Sequence, residues 1–67
     1  MGFDVALIAT DNSELFRVGF YSIEKARAFA KAGVYGMAVK CVLILSFNEK
    51  YEGYKLGDDG KPEWLVF

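Results

Sequence analysis

Residues 22–33 read SIEKARAFAKAG, and this stretch predicts the single helix on which the rest of the fold depends. Ser22 suits the N-cap, because its hydroxyl can accept a hydrogen bond from a backbone N–H of the first turn. Apolar side chains then recur at helical spacing from Ile23 to Ala30, with charged residues between them. Gly33 predicts the end of the helix, since glycine adopts the left-handed conformation without steric cost.

Residues 37–47, MAVKCVLILSF, follow the helix and predict a long strand that begins after Gly36. Successive side chains of a strand point to opposite faces of its sheet. One face then carries Met37, Val39, Cys41, Leu43, Leu45 and Phe47, and the other carries Ala38, Lys40, Val42, Ile44 and Ser46. Apolar residues on both faces indicate a central strand that is covered at least partly on both sides.

Four further β-prone segments flank this central part of the chain. They are Phe3–Ala9, Leu15–Tyr21, Lys50–Leu56 and Glu63–Phe67. The first two form a predicted hairpin, because the short polar side chains at positions 10–13 can bond nearby backbone groups in a turn. A tight turn at positions 57–60 leads towards the last strand, with Pro62 just before it, where a missing N–H does little harm.

The predicted element order is β-β-α-β-β-β. If the third strand pairs with the first, alternating chain direction produces an antiparallel five-stranded sheet in the order 2-1-3-4-5. The helix covers one face of this sheet, and no second helix is predicted for the other. The chain has 67 residues, so we expect one small α+β domain over positions 1–67 with marginal stability.

The composition argues against catalysis. Histidine is absent and Cys41 is the one cysteine, so the chain can form neither an internal disulfide nor a nucleophile–histidine pair. Cys41 lies in the middle of a strand, where an inert buried thiol is expected. Asp58 and Asp59 are typical turn residues and fall short of a calcium-binding pattern. We therefore expect no catalytic residues, no metal and no cofactor.

The charge pattern is balanced, with 8 basic and 9 acidic residues and a net charge of −1. A bulk basic surface for nucleic acid is absent, although a local patch can exist on a neutral protein. The apolar run 41–45 is far too short to span a membrane. The N-terminus lacks a basic region followed by an apolar stretch, so we expect a cytoplasmic protein without a membrane contact.

Two surfaces are candidates for binding. The first is the outer face of the sheet, to which side-chain parity assigns Ile8, Arg17, Tyr21, Lys40, Val42, Ile44, Tyr51 and Lys55. Aromatic rings interleaved with basic residues can stack nucleic-acid bases, and the same mixture suits a protein interface. A homodimer that buries Val42 and Ile44 face to face is a further alternative.

The second candidate surface is the exposed side of the helix. It carries Lys25, Arg27 and Lys31 against a single acidic residue, Glu24. Such a group of basic residues is either a solvated helix face or an electrostatic contact with an acidic protein surface or a nucleic-acid backbone.

A family resemblance begins at Ser22. The chain has a Ser-capped, alanine-rich basic helix, a strand led by Gly36, then Gly53 and Lys55, the turn Asp59-Gly60-Lys61, and a last strand with Trp64 and Val66. In these features it resembles very small phage-encoded inhibitors, in particular some anti-CRISPR proteins of type I surveillance complexes. The resemblance implies a stoichiometric inhibitor that occupies a nucleic-acid groove, with Lys25, Arg27, Lys31 and Lys55 as first contacts. The N-terminal hairpin departs from the resemblance, because it is more hydrophobic.

We therefore expect a non-enzymatic protein-binding module of phage or mobile-element origin that occludes a host protein or nucleoprotein complex. The alternatives are a small nucleic-acid-binding protein that uses the open sheet face, and a structural homodimer. The predicted contact residues are Lys25, Arg27, Lys31, Arg17, Lys40, Tyr51 and Lys55.

Overall fold

The computed structural model describes residues 2–65 as a five-stranded antiparallel sheet with one helix. The elements are β1 (Phe3–Ala9), β2 (Glu14–Phe20), α1 (Ile23–Gly33), β3 (Val39–Ser46), β4 (Glu49–Leu56) and β5 (Pro62–Trp64). The strand order is β2-β1-β3-β4-β5, which confirms the predicted α+β fold and its topology. Positions 66 and 67 of the predicted last strand lie outside the described residues.

The helix begins as the sequence predicts and ends differently. Ser22 is the N-cap, and its hydroxyl accepts a hydrogen bond from the Lys25 N–H at 3.4 Å. At the other end the chain stays right-handed, with a φ of −65° at Val34, so the predicted left-handed Gly33 is wrong. Glycine suits this position for another reason: a Cβ at Gly33 would lie 3.3 Å from Cγ2 of Val42, closer than most such contacts. The missing side chain lets the helix end approach β3 closely.

The third strand starts at Val39, later than the predicted Met37. Residues 36–39 form a turn instead, closed by a 3.3 Å hydrogen bond from the Val39 N–H to the Gly36 carbonyl. Ala38 has a φ of 61° in this turn, a left-handed conformation that no regular strand contains. Met37 consequently projects into solvent, with 94% of its surface exposed.

The helix packs on the opposite face of β3 from the one predicted. Val42 and Ile44 are fully buried and belong to the core that includes Ala26 and Ala30 of the helix. Their assignment to the outer face was wrong, and a dimer that buries them face to face is excluded by the helix. Both faces of β3 are apolar, so parity defines two faces and leaves open which one meets the helix.

Three extra residues interrupt the strand pairing, and the first is Leu15, between the pairs Leu7–Phe16 and Ile8–Glu14. Lys40 is skipped where Ile8 pairs with Cys41 and Ala9 pairs with Val39. Tyr51 is skipped in the same way, between the pairs Ile44–Glu52 and Leu45–Lys50. A β-bulge of this kind redirects a side chain relative to simple alternation. Lys40 and Tyr51 are both predicted contact residues, and simple alternation along the strand could not place them.

Candidate protein-binding surfaces

Arg27 of the helix pairs with a buried carboxylate of the sheet, Glu52. Its Nε donates to both carboxylate oxygens of Glu52 at 3.0 Å, and Nη2 also bonds to Glu52. The Tyr54 hydroxyl donates to the same carboxylate at 3.2 Å. Glu52 is only 4% exposed, so these donors satisfy a buried charge and join the helix to β4.

The electrostatics of this group favour the ionised pair. The hydrogen bond from Arg27 lowers the pKa of Glu52 below its usual value, against the opposing effect of burial. Burial raises the pKa of Tyr54, and the neighbouring Glu52 carboxylate adds to that rise. Arg27 is therefore a structural residue first, because its replacement would leave a buried carboxylate without its cation.

Lys25 and Lys31 remain as the exposed basic residues of the helix. The Lys31 ammonium lies 5.8 Å from the centre of the Tyr54 ring, within the range of a cation–π contact. The structure thus divides the predicted basic group of the helix into one residue that is paired with a buried carboxylate and two exposed residues.

Arg17 and Lys55 lie on the sheet face without a helix. The Arg17 guanidinium bonds to Glu14 at 2.7 Å and to Asp4 at 3.4 Å. The hydrogen bond from Arg17 lowers the pKa of Glu14, and the same bond raises the pKa of Arg17. These groups are exposed, so the pairs contribute little to stability.

The other two predicted contact residues of the sheet each contact another part of the chain. Lys40, at its bulge, donates to the Oδ1 of Asn12 in the β1–β2 turn. The Tyr51 ring lies 5.5 Å from the ring of Phe3, which shares its face with the helix-covered residue Val5. Among the described strand residues, register places no aromatic ring beside Arg17 and Lys55, so the platform expected for stacking bases is not formed.

The end of the sheet near the helix N-terminus carries a group that the sequence did not single out. Here β1 and β4 begin while β2 and β3 end, which brings four aromatic residues to one end of the molecule. We call this group the aromatic end, and its members are Phe3, Tyr21, Phe47 and Tyr51. Tyr21 is 94% exposed and Phe47 is 78% exposed.

The exposed side chain of Phe47 lies in a turn whose backbone conformation is unfavourable for a bulky residue. Phe47 and Asn48 form the two-residue loop of the β3–β4 hairpin, with φ angles of 54° and 64°. Two positive φ values define a type I′ turn, which strongly prefers Asn-Gly. A bulky residue at positive φ is strained, and such strain persists only where the surrounding structure holds the residue in place. Sequence analysis placed Phe47 inside a strand; the dipeptide Phe47-Asn48 between two β-prone runs was the available signal for a turn.

Other kinds of site find little support in the described residues. A cavity of about 270 Å³ lies at the β1–β2 edge of the aromatic end, lined by Gly2, Phe3, Asp4, Gly19, Phe20 and Tyr21. It falls just below the range of roughly 300–1,000 Å³ that small-molecule sites occupy. Within residues 2–65 no group of three or more potential ligands could hold a metal ion. No helix in that range is long and apolar enough to cross a membrane.

Comparisons with protein-family models, with curated proteins and with solved structures find no match to this chain.

Proposed function

We propose that this protein is a non-enzymatic module that binds another protein through its aromatic end. The observation that carries the proposal is Phe47, which is 78% exposed and held at a positive φ at the tip of a hairpin. Exposed aromatic side chains are the residues that most often dominate protein interfaces. Tyr21 and Tyr51 add further aromatic surface at the same end of the sheet.

The basic residues of the helix contribute to the edge of this surface. Lys25 lies in the first turn of the helix, at the end of the molecule that carries Tyr21. Lysine is typical of the rim of an interface, where it favours association with an acidic partner surface. Lys31 lies nearer the other end of the helix and contributes a longer-range attraction.

The mode of action we propose is occlusion of a host protein or nucleoprotein complex by this preformed surface. A type I′ hairpin and a sheet present Phe47 and Tyr51 on regular secondary structure, so little ordering free energy is lost on binding. A cytoplasmic inhibitor encoded by a phage or mobile element fits such a mechanism, because it requires a surface and no chemistry.

The test uses two substitutions in one turn. Phe47→Asn removes the ring and places a residue that tolerates positive φ, so we expect a more stable protein with weaker partner binding. Asn48→Gly is the matched control, because it relieves the same turn and keeps the ring. In pull-downs from host lysate with and without nuclease, a protein partner identified by mass spectrometry should survive nuclease and be lost only with Phe47→Asn.

Quantitative binding to the purified partner then gives the size of the effect. Loss of a central aromatic contact costs at least about 2 kcal/mol, so affinity should fall more than roughly tenfold. Equal affinity for the wild type and Phe47→Asn would refute the aromatic end as the binding surface. Recovery of nucleic acid alone, with binding that weakens steeply as salt rises, would instead show a nucleic-acid-binding protein.

A further inference from the structure

The two edges of the sheet differ in how they are protected. Strand β5 is three residues long and begins with Pro62, two features that prevent an edge from pairing with another strand. Strand β2 has seven residues, with neither proline nor lysine, and no strand lies beyond it among the described residues. Its one bulge, at Leu15, lies near the start of the strand and leaves Phe16 to Phe20 in regular register. A regular edge segment of this kind is a template for pairing with a further strand.

The hydrogen bonds around β1 show which backbone groups of β2 point outward. The Thr10 N–H bonds to the Ala38 carbonyl beside β3, and the Ala9 N–H bonds to the Ser13 carbonyl beside β2. Hydrogen-bonding direction alternates along a strand, so the odd-numbered residues of β1 face β2. Their partners in β2 are Phe16, Val18 and Phe20. The N–H and C=O groups of Arg17 and Gly19 therefore point away from the sheet.

These outward groups define the register of a symmetric pairing. In an antiparallel pair of β2 strands with the two-fold axis at Val18, Arg17 lies opposite Gly19 of the second copy. Each of the two Arg17–Gly19 pairs then exchanges two backbone hydrogen bonds. A register centred on Arg17 would place two guanidinium groups opposite each other, which is unfavourable.

The side chains on both faces suit this register. Asp4 pairs with Gly19 and lines the 270 Å³ cavity beside it. Within the described part of the chain, its half-exposed carboxylate has only the 3.4 Å contact with Arg17 of its own chain, so Arg17 of the second copy would share it across a residue that has no side chain. On the helix-covered face, Phe16 would lie opposite Phe20 of the second copy. Phe16 is 52% exposed and already contacts Phe29 with a ring separation of 6.3 Å, so the pairing would extend an existing aromatic cluster.

We propose that two copies of this chain associate through β2 in this register to form one continuous antiparallel sheet. The charge complementarity of Arg17 with Asp4 and the self-matching aromatic row favour a second copy over an unrelated strand. The small core also favours association, because a chain of 67 residues buries too little surface to be very stable alone. This dimer forms without any other partner protein.

The test compares a lysine at each edge of the sheet. A Cβ at Gly19 would lie 3.4 Å from Oδ1 of Asp4, an ordinary contact, so Gly19→Lys fits the monomer and places a cation opposite Arg17 of the second copy. Glu63→Lys places the same residue on β5 as the control. In sedimentation equilibrium, the wild type and Glu63→Lys should rise with concentration from 7.5 kDa to twice that mass, while Gly19→Lys stays monomeric. Circular dichroism establishes that each variant is folded.

Two further measurements test the register. Exchange of the Arg17 and Gly19 amide hydrogens should slow as the protein concentration rises, because only the dimer bonds them. Arg17→Glu should weaken association, and the double variant Asp4→Arg with Arg17→Glu should restore it. A wild type that stays monomeric at its highest soluble concentration would overturn the proposal. Undiminished association of folded Gly19→Lys would overturn it as well.

Discussion

The helix-covered face and the aromatic end contain similar residue types in opposite situations. On the covered face, Tyr54 is 3% exposed, its hydroxyl is bonded to Glu52, and its ring packs against Trp64 with a centroid separation of 5.5 Å. At the aromatic end, Tyr21 is 94% exposed, and Phe47 is held outward by a strained turn.

The difference teaches that the residues that stabilise this small domain and the residues of the proposed binding surface are largely separate. Buried, hydrogen-bonded groups of the covered face stabilise the fold, because removing them leaves a cavity or an unpaired charge. Tyr21 and Phe47 of the aromatic end add little to the core and leave apolar surface in contact with water. Substitutions can therefore be chosen to change one property and leave the other unchanged.

The largest effect should come from Ile44→Ala on the covered face. Ile44 is fully buried beneath the helix, and its truncation removes apolar contacts and leaves a cavity. We expect the free energy of unfolding to fall by about 3 kcal/mol, a large share of the stability of a small domain. Urea denaturation measures this loss. A change no larger than that of a surface substitution would contradict the assignment of Ile44 to the core.

Arg27→Ala should destabilise the protein less than Ile44→Ala and more than Lys25→Ala, its control on the same helix. It leaves the buried Glu52 carboxylate without its cation. The wild-type pKa of Glu52 is lowered, so the stability it contributes is present above the usual glutamate pKa and is lost as pH falls through the lowered value.

The pH dependence distinguishes this pair from simple packing. The difference in unfolding free energy between wild type and Arg27→Ala should shrink as the pH is lowered and Glu52 becomes protonated in both proteins. Denaturation series at neutral and acidic pH measure it. A difference that stays constant with pH would indicate that Arg27 acts through the packing of its alkyl chain alone.

Ala38→Gly relieves strain at the end of β3 far from Phe47. Ala38 has a φ of 61°, which glycine adopts without the steric cost that alanine has. Glycine also gains freedom in the unfolded chain, which offsets part of this gain in stability. We therefore expect a net stabilisation of about 0.5 kcal/mol. Partner binding should stay at the wild-type level. Weaker binding by this variant would show that the aromatic end is not the only determinant of recognition.

The smallest effect on stability should come from Tyr21→Ser. Tyr21 is almost fully exposed, so thermal unfolding should not change measurably. Binding to the partner should weaken, since the substitution removes aromatic surface at the end of the sheet that also carries Phe47. An unfolding temperature clearly below that of the wild type would show that Tyr21 packs against the fold more than its exposure indicates.

Much of the architecture was predictable because it follows from local patterns. Ser22 and the apolar spacing that follows it identified the helix, and runs of β-prone residues identified the strands. Pairing of the third strand with the first was enough to derive the order of the whole sheet. The predicted start of β3 differs from the observed one because residues before it form a turn. Ala38 adopts a positive φ in this turn, and nothing in the sequence indicates it.

The placement of the candidate contact residues was predictable only in part. Lys25 and Lys31 lie exposed on the helix as expected, and Arg17 and Lys55 lie on the open sheet face. Side-chain parity could not place Tyr51 and Lys40, because each lies at a bulge that breaks strict alternation.

The sequence by itself determined the helix, the strands, the lack of histidine and disulfide chemistry, and the topology, because these depend on composition and on neighbouring residues. The tertiary structure decided which face of β3 meets the helix, since both faces are apolar and only packing chooses between them. It also decided that Arg27 pairs with Glu52, 25 residues away, and therefore has a structural role. Long-range contacts of this kind depend on how the elements pack, and spacing along the chain does not encode them.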